Sequence, residues 1–270
     1  MSKRTPAFQD RASDRLERPA RPRRDRALEQ AIAAGRILIL FQPQIEPGTG
    51  RVVGAEALAR WQGAASAEAL FARAARAGLT ERLSRFAQRK ALQLAGQWSG
   101  PLAALRVSIN LLAEDLARAD YDRWLLAEIA AAGLTPDRVT VEITECSLLA
   151  DQATAAERLG RLRAAGVQVA VDDFGTGYAS LSYLTSLPLD ALKIDRGLVA
   201  DLVEGTRDRI VVRAMIGLAH ELRLKVVAEG VETAAQLALL ADWGCDLYQG
   251  FLGAGALEEA ELAGFVAARA

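Results

Sequence analysis

Short β-branched runs alternate with longer alanine- and leucine-rich stretches along most of this 270-residue chain. The runs predict eight strands, at Ile37–Gln42, Val52–Ala57, Leu105–Asn110, Val139–Ile143, Val167–Asp172, Ala191–Ile194, Leu224–Ala228 and Asp246–Tyr248. Helical patterns occur at residues 27–32, 81–97, 112–132, 152–165, 206–222, 233–242 and 257–268. Strands separated by helices indicate right-handed βαβ units and a largely parallel sheet.

The number and spacing of the strands favour a closed barrel over an open sheet. The strand ends at Asn110, Glu142 and Asp172 follow one another at intervals of about 30 residues, which is the length of one βα unit. An open nucleotide-binding sheet would also need a G-x-G-x-x-G turn after a strand, and the sequence has none. We therefore predict an α/β fold of the TIM-like (β/α)8 barrel type.

A polar side chain stands at or next to the carboxyl end of nearly every predicted strand. These residues are Glu56, Asn110, Glu142, Asp172, Asp173, Lys193, Asp195, Glu229 and Gln249. A lone carboxylate at a strand end is usually a cap or a salt bridge, but several that converge repel one another and need cations. Barrel enzymes place their active sites at this end. Oxygen ligands without imidazole or thiolate indicate Mg²⁺ or Mn²⁺ and metal-assisted attack on a phosphate ester.

The scarcity of histidine and cysteine argues against several other chemistries. His220 is the only histidine, and no G-x-S-x-G turn is present to partner it in a Ser-His-Asp hydrolase. Cys146 and Cys245 are predicted to be buried free thiols, because two cysteines make neither a disulfide framework nor a zinc site. The triplet Asp173-Phe174-Gly175 occurs in kinases, but the other kinase motifs are missing.

Residues 1–26 differ from the rest of the chain in charge and pattern. They hold nine Lys/Arg and four Asp/Glu, whereas residues 27–270 carry a net charge of −6. We predict a solvated, disordered tail ahead of one domain at 27–270. The alternative is a docking arm for an acidic protein partner or a membrane surface, and no DNA binding is expected. Without a signal-peptide core or an apolar run of ~18 residues, the chain is expected to be cytoplasmic.

The motifs at the strand ends resemble those of the EAL-domain cyclic di-GMP phosphodiesterases, over residues 27–268. Glu56-Ala57-Leu58 resembles the signature triplet of that family. Seven further motifs match the family's order: Phe41-Gln42-Pro43, Val107-Ser108-Ile109-Asn110, Glu142-Ile143-Thr144-Glu145, Asp172-Asp173-Phe174-Gly175-Thr176-Gly177, Leu192-Lys193-Ile194-Asp195, Ala228-Glu229-Gly230-Val231-Glu232 and Gln249-Gly250-Phe251. One triplet is weak evidence, but an ordered set is specific.

The resemblance implies a barrel whose first strand runs antiparallel to the others, a homodimer, and hydrolysis of cyclic di-GMP to linear 5′-pGpG by a metal-bound hydroxide. It implies two Mg²⁺ or Mn²⁺ ions per active site. The residues that resemble the ligands of one ion are Glu56, Asn110, Glu142 and Asp172. Those of the second ion are Asp172, Asp173 and Glu229. Inhibition by Ca²⁺ is expected, because the larger ion prefers longer and looser coordination.

Further roles follow from the same resemblance. Lys193 resembles the lysine that orients the attacking water, and the expected catalytic residues are Lys193, Glu229 and Glu56. The positions expected to contact substrate or support the site are Gln42, Leu58, Arg60, Asp195, Glu232 and Gln249. Glu145 resembles the glutamate that steadies the loop after Asp173, a loop that the family uses to link dimerisation to metal binding.

The chain departs from the family pattern in two loops. Between Trp61 and Gly78 the chain is several residues shorter than usual, and no proline follows Gln249.

Two other functional classes compete with hydrolysis. One is a catalytically weak or inactive EAL-type receptor that binds cyclic di-GMP or a protein partner. The other is a metal-assisted barrel lyase. Degenerate family members usually lose metal ligands, and every ligand position is filled here, so hydrolysis is favoured.

Overall fold

The eight strands close into one barrel in the order in which they occur along the chain. The computed structural model describes residues 24–144, 152–175 and 181–269. The strands are β1 (Leu38–Ile45), β2 (Val52–Arg60), β3 (Arg106–Leu111), β4 (Val139–Thr144), β5 (Gln168–Phe174), β6 (Ala191–Ile194), β7 (Lys225–Ala228) and β8 (Leu247–Tyr248). Strand β1 is antiparallel to both β2 and β8, and the other neighbours are parallel. The predicted TIM-like (β/α)8 barrel with an antiparallel first strand is confirmed.

Helices cover the outside of the barrel. Their bounds are α1 (Arg26–Ala33), α2 (Ala67–Ala77), α3 (Thr80–Gly96), α4 (Ala113–Ala117), α5 (Tyr121–Ala131), α6 (Gln152–Ala164), α7 (Leu181–Ser186), α8 (Arg196–Ala200), α9 (Thr206–Glu221), α10 (Ala234–Asp242) and α11 (Glu259–Ala267). Two single turns of 3₁₀ helix, Gly100–Leu102 and Pro136–Arg138, precede β3 and β4. Helix α10 begins with a capping box in which Thr233 and Gln236 each satisfy the other's backbone N–H.

The predicted helix over residues 112–132 is wrong, because two helices occupy this stretch. Helix α4 ends at Arg118, whose backbone is extended at φ −80 and ψ 131. The carboxylate of Asp115 accepts a hydrogen bond from the Leu112 N–H and forms an ion pair with Arg118 at 3.0 Å. These local contacts stabilise a short capped helix that a hydrophobic-period argument does not detect.

Helix α2 was not predicted, and it fills the stretch that follows the shortened loop. Ser66 caps its first turn by accepting from the Ala69 N–H, and Gly78 ends it in the left-handed conformation. The Arg73 guanidinium stacks on the Trp61 ring at 4.7 Å and donates to the Gly63 carbonyl at 2.9 Å. The loop between Trp61 and Ser66 is therefore held against α2 by its own contacts.

The two faces of the strands separate the apolar core from the polar interior. Outward side chains such as Val141, Ile143 and Val171 are fully buried against the helices. Burying each such side chain stabilises the fold by about 1.5–3 kcal/mol. The inward side chains include the charged residues Glu142 and Lys193, each 1% exposed. The core therefore lies between barrel and helices, and the barrel interior is left for polar groups.

Three further predictions concern the ends of the chain and its cysteines. Asp25 caps α1 and forms an ion pair with Arg73, so ordered structure begins ahead of α1, while residues 1–23 lie outside the described part and the predicted tail remains a prediction. Cys245 is a buried free thiol whose pKa is raised to about 12 by burial. Cys146 lies outside the described residues. No described helix combines the length and the apolar character needed to span a bilayer.

Candidate active site

Strand register brings three acidic residues together inside the barrel. Glu56 on β2 pairs with Ser108 on β3, and two residues further along the same face Asn110 pairs with Glu142 on β4. Thr144 then pairs with Asp172 on β5. As a result, one carboxylate oxygen each of Glu56, Glu142 and Asp172 lies within 4.8 Å of the others. All three side chains are buried, so their charges are removed from bulk water.

The ammonium group of Lys193 lies in the middle of this cluster. Its Nζ is 2.6 Å from Glu142 Oε2, 2.7 Å from Glu229 Oε1 and 3.2 Å from both Glu56 Oε2 and Asp172 Oδ2. Burial alone would lower the pKa of Lys193, but its carboxylate neighbours, led by Asp172 and Glu142, raise that pKa well above its ordinary value. Lys193 is therefore an ammonium ion throughout the physiological range.

One lysine does not neutralise the carboxylates around it. Burial, and then repulsion from Glu56, raises the pKa of Glu142 well above its ordinary value. The pKa of Glu56 is instead lowered, because attraction to Lys193 and hydrogen bonds from Gln249 and Asn110 together outweigh its burial. Burial also raises the pKa of Asp172. The cluster thus carries more negative charge than its own ammonium group can balance.

A second acidic group shares Asp172 with the first. One carboxylate oxygen each of Asp172, Asp173 and Glu229 lies within 4.8 Å of the others. Burial, followed by repulsion from Asp172, raises the pKa of Asp173 to about 6. Burial likewise raises the pKa of Glu229 to about 8, even though Lys193 acts in the opposite direction. Both shifts reflect carboxylates that are removed from water and held close together without enough cationic charge.

An irregularity in β5 explains how two consecutive residues reach the same group. Successive side chains of a regular strand point to opposite faces, so Asp172 and Asp173 would diverge. The pairing of β5 with β6 shifts register between Val171 and Phe174, and Asp173 has a positive φ of 55°. A bulge of this kind re-aims a side chain and is common beside active sites. The backbone strain is therefore located at the rim of the acidic cluster.

Amide side chains fix the positions of the carboxylates. Asn110 Nδ2 donates to Glu56 at 2.9 Å, and Gln249 Nε2 donates to Glu56 at 2.8 Å and to Glu229 at 2.9 Å. Gly250 allows Gln249 to approach, because a Cβ there would lie 2.3 Å from the backbone N of Val231, and its φ is 155°. The geometry of the cluster is thus set by hydrogen bonds as well as by the lysine.

The residues fit a pair of divalent cations. Five carboxylates from three strands and the segment after β7 face a single ammonium group, and they form two triads that share Asp172. Oxygen-only ligand sets of this type suit Mg²⁺ or Mn²⁺. A cation in each triad would offset the burial and the repulsion that raise the pKa values of Asp173 and Glu229. The cluster is thus suited to divalent metal binding.

The residues predicted to contact substrate or to support the site lie in different environments. Gln42 donates to the Ala254 carbonyl at 3.3 Å, and Arg60 donates to the Ala59 carbonyl at 3.0 Å. Leu58 is partly exposed on β2, between Glu56 and Arg60 on the same face. The remaining three are Asp195, which caps α8 by accepting from the Gly197 N–H, Glu232, which is exposed, and Glu145, which lies outside the described residues.

Sequence reasoning missed two residues that support the cluster. Gln44 is buried, and its Nε2 lies 3.4 Å from Glu142 Oε1, Gln249 Oε1 and Ser108 Oγ. Its signal was its position two residues after Gln42, on the same face of β1. Gln88 donates to the Asn110 carbonyl at 2.9 Å from helix α3. No strand-end pattern could have identified a helical residue.

Comparison with known proteins identifies the family of this chain. The model of the EAL domain matches residues 25–256, and the chain belongs to the EAL domain family. The cyclic di-GMP phosphodiesterase NbdA of Pseudomonas aeruginosa is 38% identical over 235 residues, which cover 83% of this chain and 29% of NbdA. The chain spans about a third of the length of the curated relatives it matches.

Solved structures with the same fold include complexes with cyclic di-GMP. The PaMucR phosphodiesterase in complex with c-di-GMP has a TM-score of 0.81 and 33% identity, covering 87% of this chain and 97% of that one. Klebsiella pneumoniae BlrP1 in complex with manganese and c-di-GMP has a TM-score of 0.73 and 35% identity, covering 82% of this chain and 56% of that one. BlrP1 has also been solved with calcium and c-di-GMP.

Proposed function

We propose that this chain hydrolyses cyclic di-GMP to linear 5′-pGpG at the carboxyl-terminal end of its barrel. The observation that carries the proposal is the pair of carboxylate triads that share Asp172 around the buried Lys193. Family membership supports the reaction class, because relatives such as NbdA and PaMucR are named as phosphodiesterases and PaMucR was solved with c-di-GMP. The activity of any longer protein that contains this chain belongs to the same proposal.

Two Mg²⁺ or Mn²⁺ ions would be held by the predicted ligands. The residues proposed for one ion are Glu56, Asn110, Glu142 and Asp172, and those for the other are Asp172, Asp173 and Glu229. Bound divalent cations lower the pKa of water and neutralise charge that develops on a phosphodiester. Asn110 would contribute its side-chain oxygen, since its Nδ2 already donates to Glu56 at 2.9 Å. Asp172 would be common to both.

Lys193 acts in this proposal as a hydrogen-bond donor and a fixed positive charge. Its raised pKa excludes the role of general base, because an ammonium group has no lone pair with which to accept a proton. It can orient a water by donation and stabilise negative charge on phosphate oxygens. A carboxylate of the cluster, for which Glu229 is the predicted catalytic residue, would accept the proton. Gln249 holds Glu229 in place at 2.9 Å.

The substrate is proposed to lie across the rim above these groups. Arg60 is partly exposed and follows Leu58 by two residues on the same face of β2. Its guanidinium can therefore donate hydrogen bonds to a phosphate or to the guanine edge. Gln42 ties β1 to the loop after Gln249 through Ala254. Asp195 and Glu232 remain predicted substrate contacts. The loop that lacks the family's proline contains Phe251, which is 76% exposed.

The decisive experiment incubates purified protein with cyclic di-GMP and Mg²⁺ or Mn²⁺ and follows the linear dinucleotide by chromatography. Glu56→Gln should lower the hydrolysis rate at least ~100-fold, because it removes a buried ligand charge without changing the shape of the side chain. Glu68→Gln, on the exposed face of α2, is the matched control. Tight binding of cyclic di-GMP without turnover would instead identify the receptor alternative.

Calcium provides a second test of the two-ion proposal. We expect Ca²⁺ to bind and to inhibit, because its ligand distances of about 2.3–2.6 Å exceed those of Mg²⁺ by a few tenths of an ångström. The measurement is the hydrolysis rate at fixed Mg²⁺ with increasing Ca²⁺. Full activity with Ca²⁺ as the sole divalent ion would contradict the proposed coordination.

We also propose that the chain forms a homodimer. Light scattering with and without cyclic di-GMP would test this proposal.

A further inference from the structure

The barrel interior is hollow beneath the acidic cluster. A cavity of about 560 Å³ opens at the amino-terminal end of the barrel and extends inward to Glu142 and Lys193. Its inner wall carries small side chains from successive strands, namely Ser108, Thr140, Ala170, Ala191 and Val227. TIM barrels usually fill this space with bulky branched residues. Here the side chains of the wall are small and two of them carry hydroxyl groups, so the space is open to a ligand or to water.

The mouth of this cavity is lined by more cations than anions. The cationic residues are Arg51, Arg106, Arg138, Lys225 and Arg269, and the acidic ones are Glu46, Asp137 and Asp246. Glu46 is already engaged with Arg51 at 2.6 Å, and Asp246 with His220 at 3.0 Å. Within the described ranges, the other four cations have no carboxylate within 4.0 Å. A cluster of unneutralised cations attracts anions.

Two of these arginines are held side by side in a fixed orientation. The strand register pairs Val107 with Val139, so Arg106 and Arg138 stand next to each other at the start of β3 and β4. Arg106 Nε donates to the Asp137 carbonyl at 3.0 Å, and Arg138 Nε donates to the Leu105 carbonyl at 2.8 Å. Each guanidinium is thus anchored on the neighbouring strand.

Anchoring through Nε leaves the outer nitrogens of both groups available. Arg138 Nη2 is buried and has no hydrogen-bond partner among the described residues. A buried donor without a partner costs about 1–3 kcal/mol, and one on a charged group costs more. The outer nitrogens of two neighbouring guanidinium groups suit the oxygens of one phosphate group, which accepts paired N–H···O bonds.

We propose that the amino-terminal end of the barrel is a second binding site, for a small phosphomonoester whose phosphate lies between Arg106 and Arg138. The rest of the ligand would extend into the cavity towards the hydroxyl groups of Ser108 and Thr140. A volume of about 560 Å³ lies within the range of small-molecule sites, roughly 300–1,000 Å³. The site opens on the end of the barrel opposite the catalytic rim, so its ligand and cyclic di-GMP do not compete.

The test uses metal-free protein, dialysed against EDTA, with glycerol 3-phosphate as the probe and glycerol as the control that lacks the phosphate. Without divalent ions the acidic cluster repels phosphate, so saturable binding reports on the basal site and does not depend on hydrolysis. Titration calorimetry or the phosphorus NMR signal of the probe gives the Kd. We expect saturable binding of glycerol 3-phosphate and none of glycerol.

Variants assign the binding to the two arginines. Arg106→Gln and Arg138→Gln should each weaken binding about tenfold or more, because each loses a charged hydrogen bond. Arg138→Lys keeps the charge, loses the paired geometry and should also weaken binding, which preserves the test if the glutamine variant fails to fold. Arg89→Gln, which removes a charge on the outer surface of α3, should bind like the parent. Absence of saturable binding, or an equal loss in Arg89→Gln, would overturn the proposal.

Discussion

The two ends of this barrel are built from the same strands but carry opposite charge. At the carboxyl end, buried carboxylates surround one lysine, whereas at the amino end arginines and Lys225 surround an open cavity. Arg138, which immediately precedes β4, and Glu142, within it, are four residues apart and lie at different ends. A net charge of −1 conceals this separation. Strand direction, and not composition, determines where each charge acts.

The two ends also differ in how strongly their charges are coupled. Lys193 is 1% exposed and is the shared ammonium partner of four carboxylates, so removing it leaves these charges buried and uncompensated. At the amino end, the Arg51–Glu46 pair is partly exposed and screened by solvent. Loss of Lys193 at the carboxyl end should therefore cost stability as well as activity, and loss of a cation at the amino end should cost little stability.

The largest effect is expected for Lys193→Met. In metal-free protein this substitution should lower the free energy of unfolding by about 3–5 kcal/mol, because four carboxylates lose their shared ammonium partner. Urea denaturation with EDTA measures it. The matched control at the other end is Lys225→Met, which removes an exposed ammonium from β7 and should change stability by less than about 0.5 kcal/mol. Equal losses of stability in Lys193→Met and Lys225→Met would contradict the expected difference between the two ends.

Divalent cations should stabilise the carboxyl end selectively. At about 100 times the Kd, Mn²⁺ should stabilise the protein by about 2.7 kcal/mol and raise the unfolding temperature by about 5–10 °C. Glu142→Gln should at least halve this rise, and Arg106→Gln should leave it unchanged, because Arg106 lies at the opposite end. Differential scanning calorimetry gives both values. A rise of the same size in Glu142→Gln would show that the ions bind elsewhere.

Much of the fold could be predicted because its signals are local. All eight predicted strands overlap the observed ones, and the ends of Ala191–Ile194 coincide with those of β6. Period-two alternation along β4 places Glu142 on the face opposite Val141 and Ile143. The residues that the structure gathers into two triads were all among the predicted ligands, because parallel strands end at one rim.

What the sequence did not reveal depends on contacts between distant residues. The bulge that brings Asp173 beside Asp172 arises from the pairing of β5 with β6 and has no local signature. The central position of Lys193 among four carboxylates depends on the closure of the barrel. The cavity at the amino end arises only when the small residues of several strands face one another.

A smaller effect is expected from Gln88, which supports the carboxyl end from outside the barrel. Its Nε2 donates to the Asn110 carbonyl and to Asp115, and its Oε1 accepts from the Tyr121 hydroxyl at 3.0 Å. Gln88→Met should cost about 2 kcal/mol, because buried polar groups lose their partner. It should also weaken Mn²⁺ binding about tenfold by loosening Asn110.

Gln93 supplies the control for this helix. It is exposed on α3, so Gln93→Met should change neither stability nor Mn²⁺ affinity. Unfolding and Mn²⁺ titration of both variants separate a positioning role from a general effect on helix α3. If Gln88→Met lowered stability but left the Mn²⁺ affinity at the parent value, Gln88 would be structural only.

The smallest effect is expected at the only histidine, which lies at the amino end. His220 Nε2 is 3.0 Å from Asp246 Oδ2, and the His220 side chain is 41% exposed. His220→Gln should cost less than about 0.5 kcal/mol, because exposed pairs contribute little and Asp246 still accepts from the Val226 N–H. Hydrolysis and its dependence on pH should be unchanged, since no imidazole lies among the residues proposed for catalysis. The pH profile of hydrolysis is the informative measurement: a changed profile in His220→Gln would mean that the two ends communicate through the barrel, because His220 lies at the end opposite the proposed substrate site.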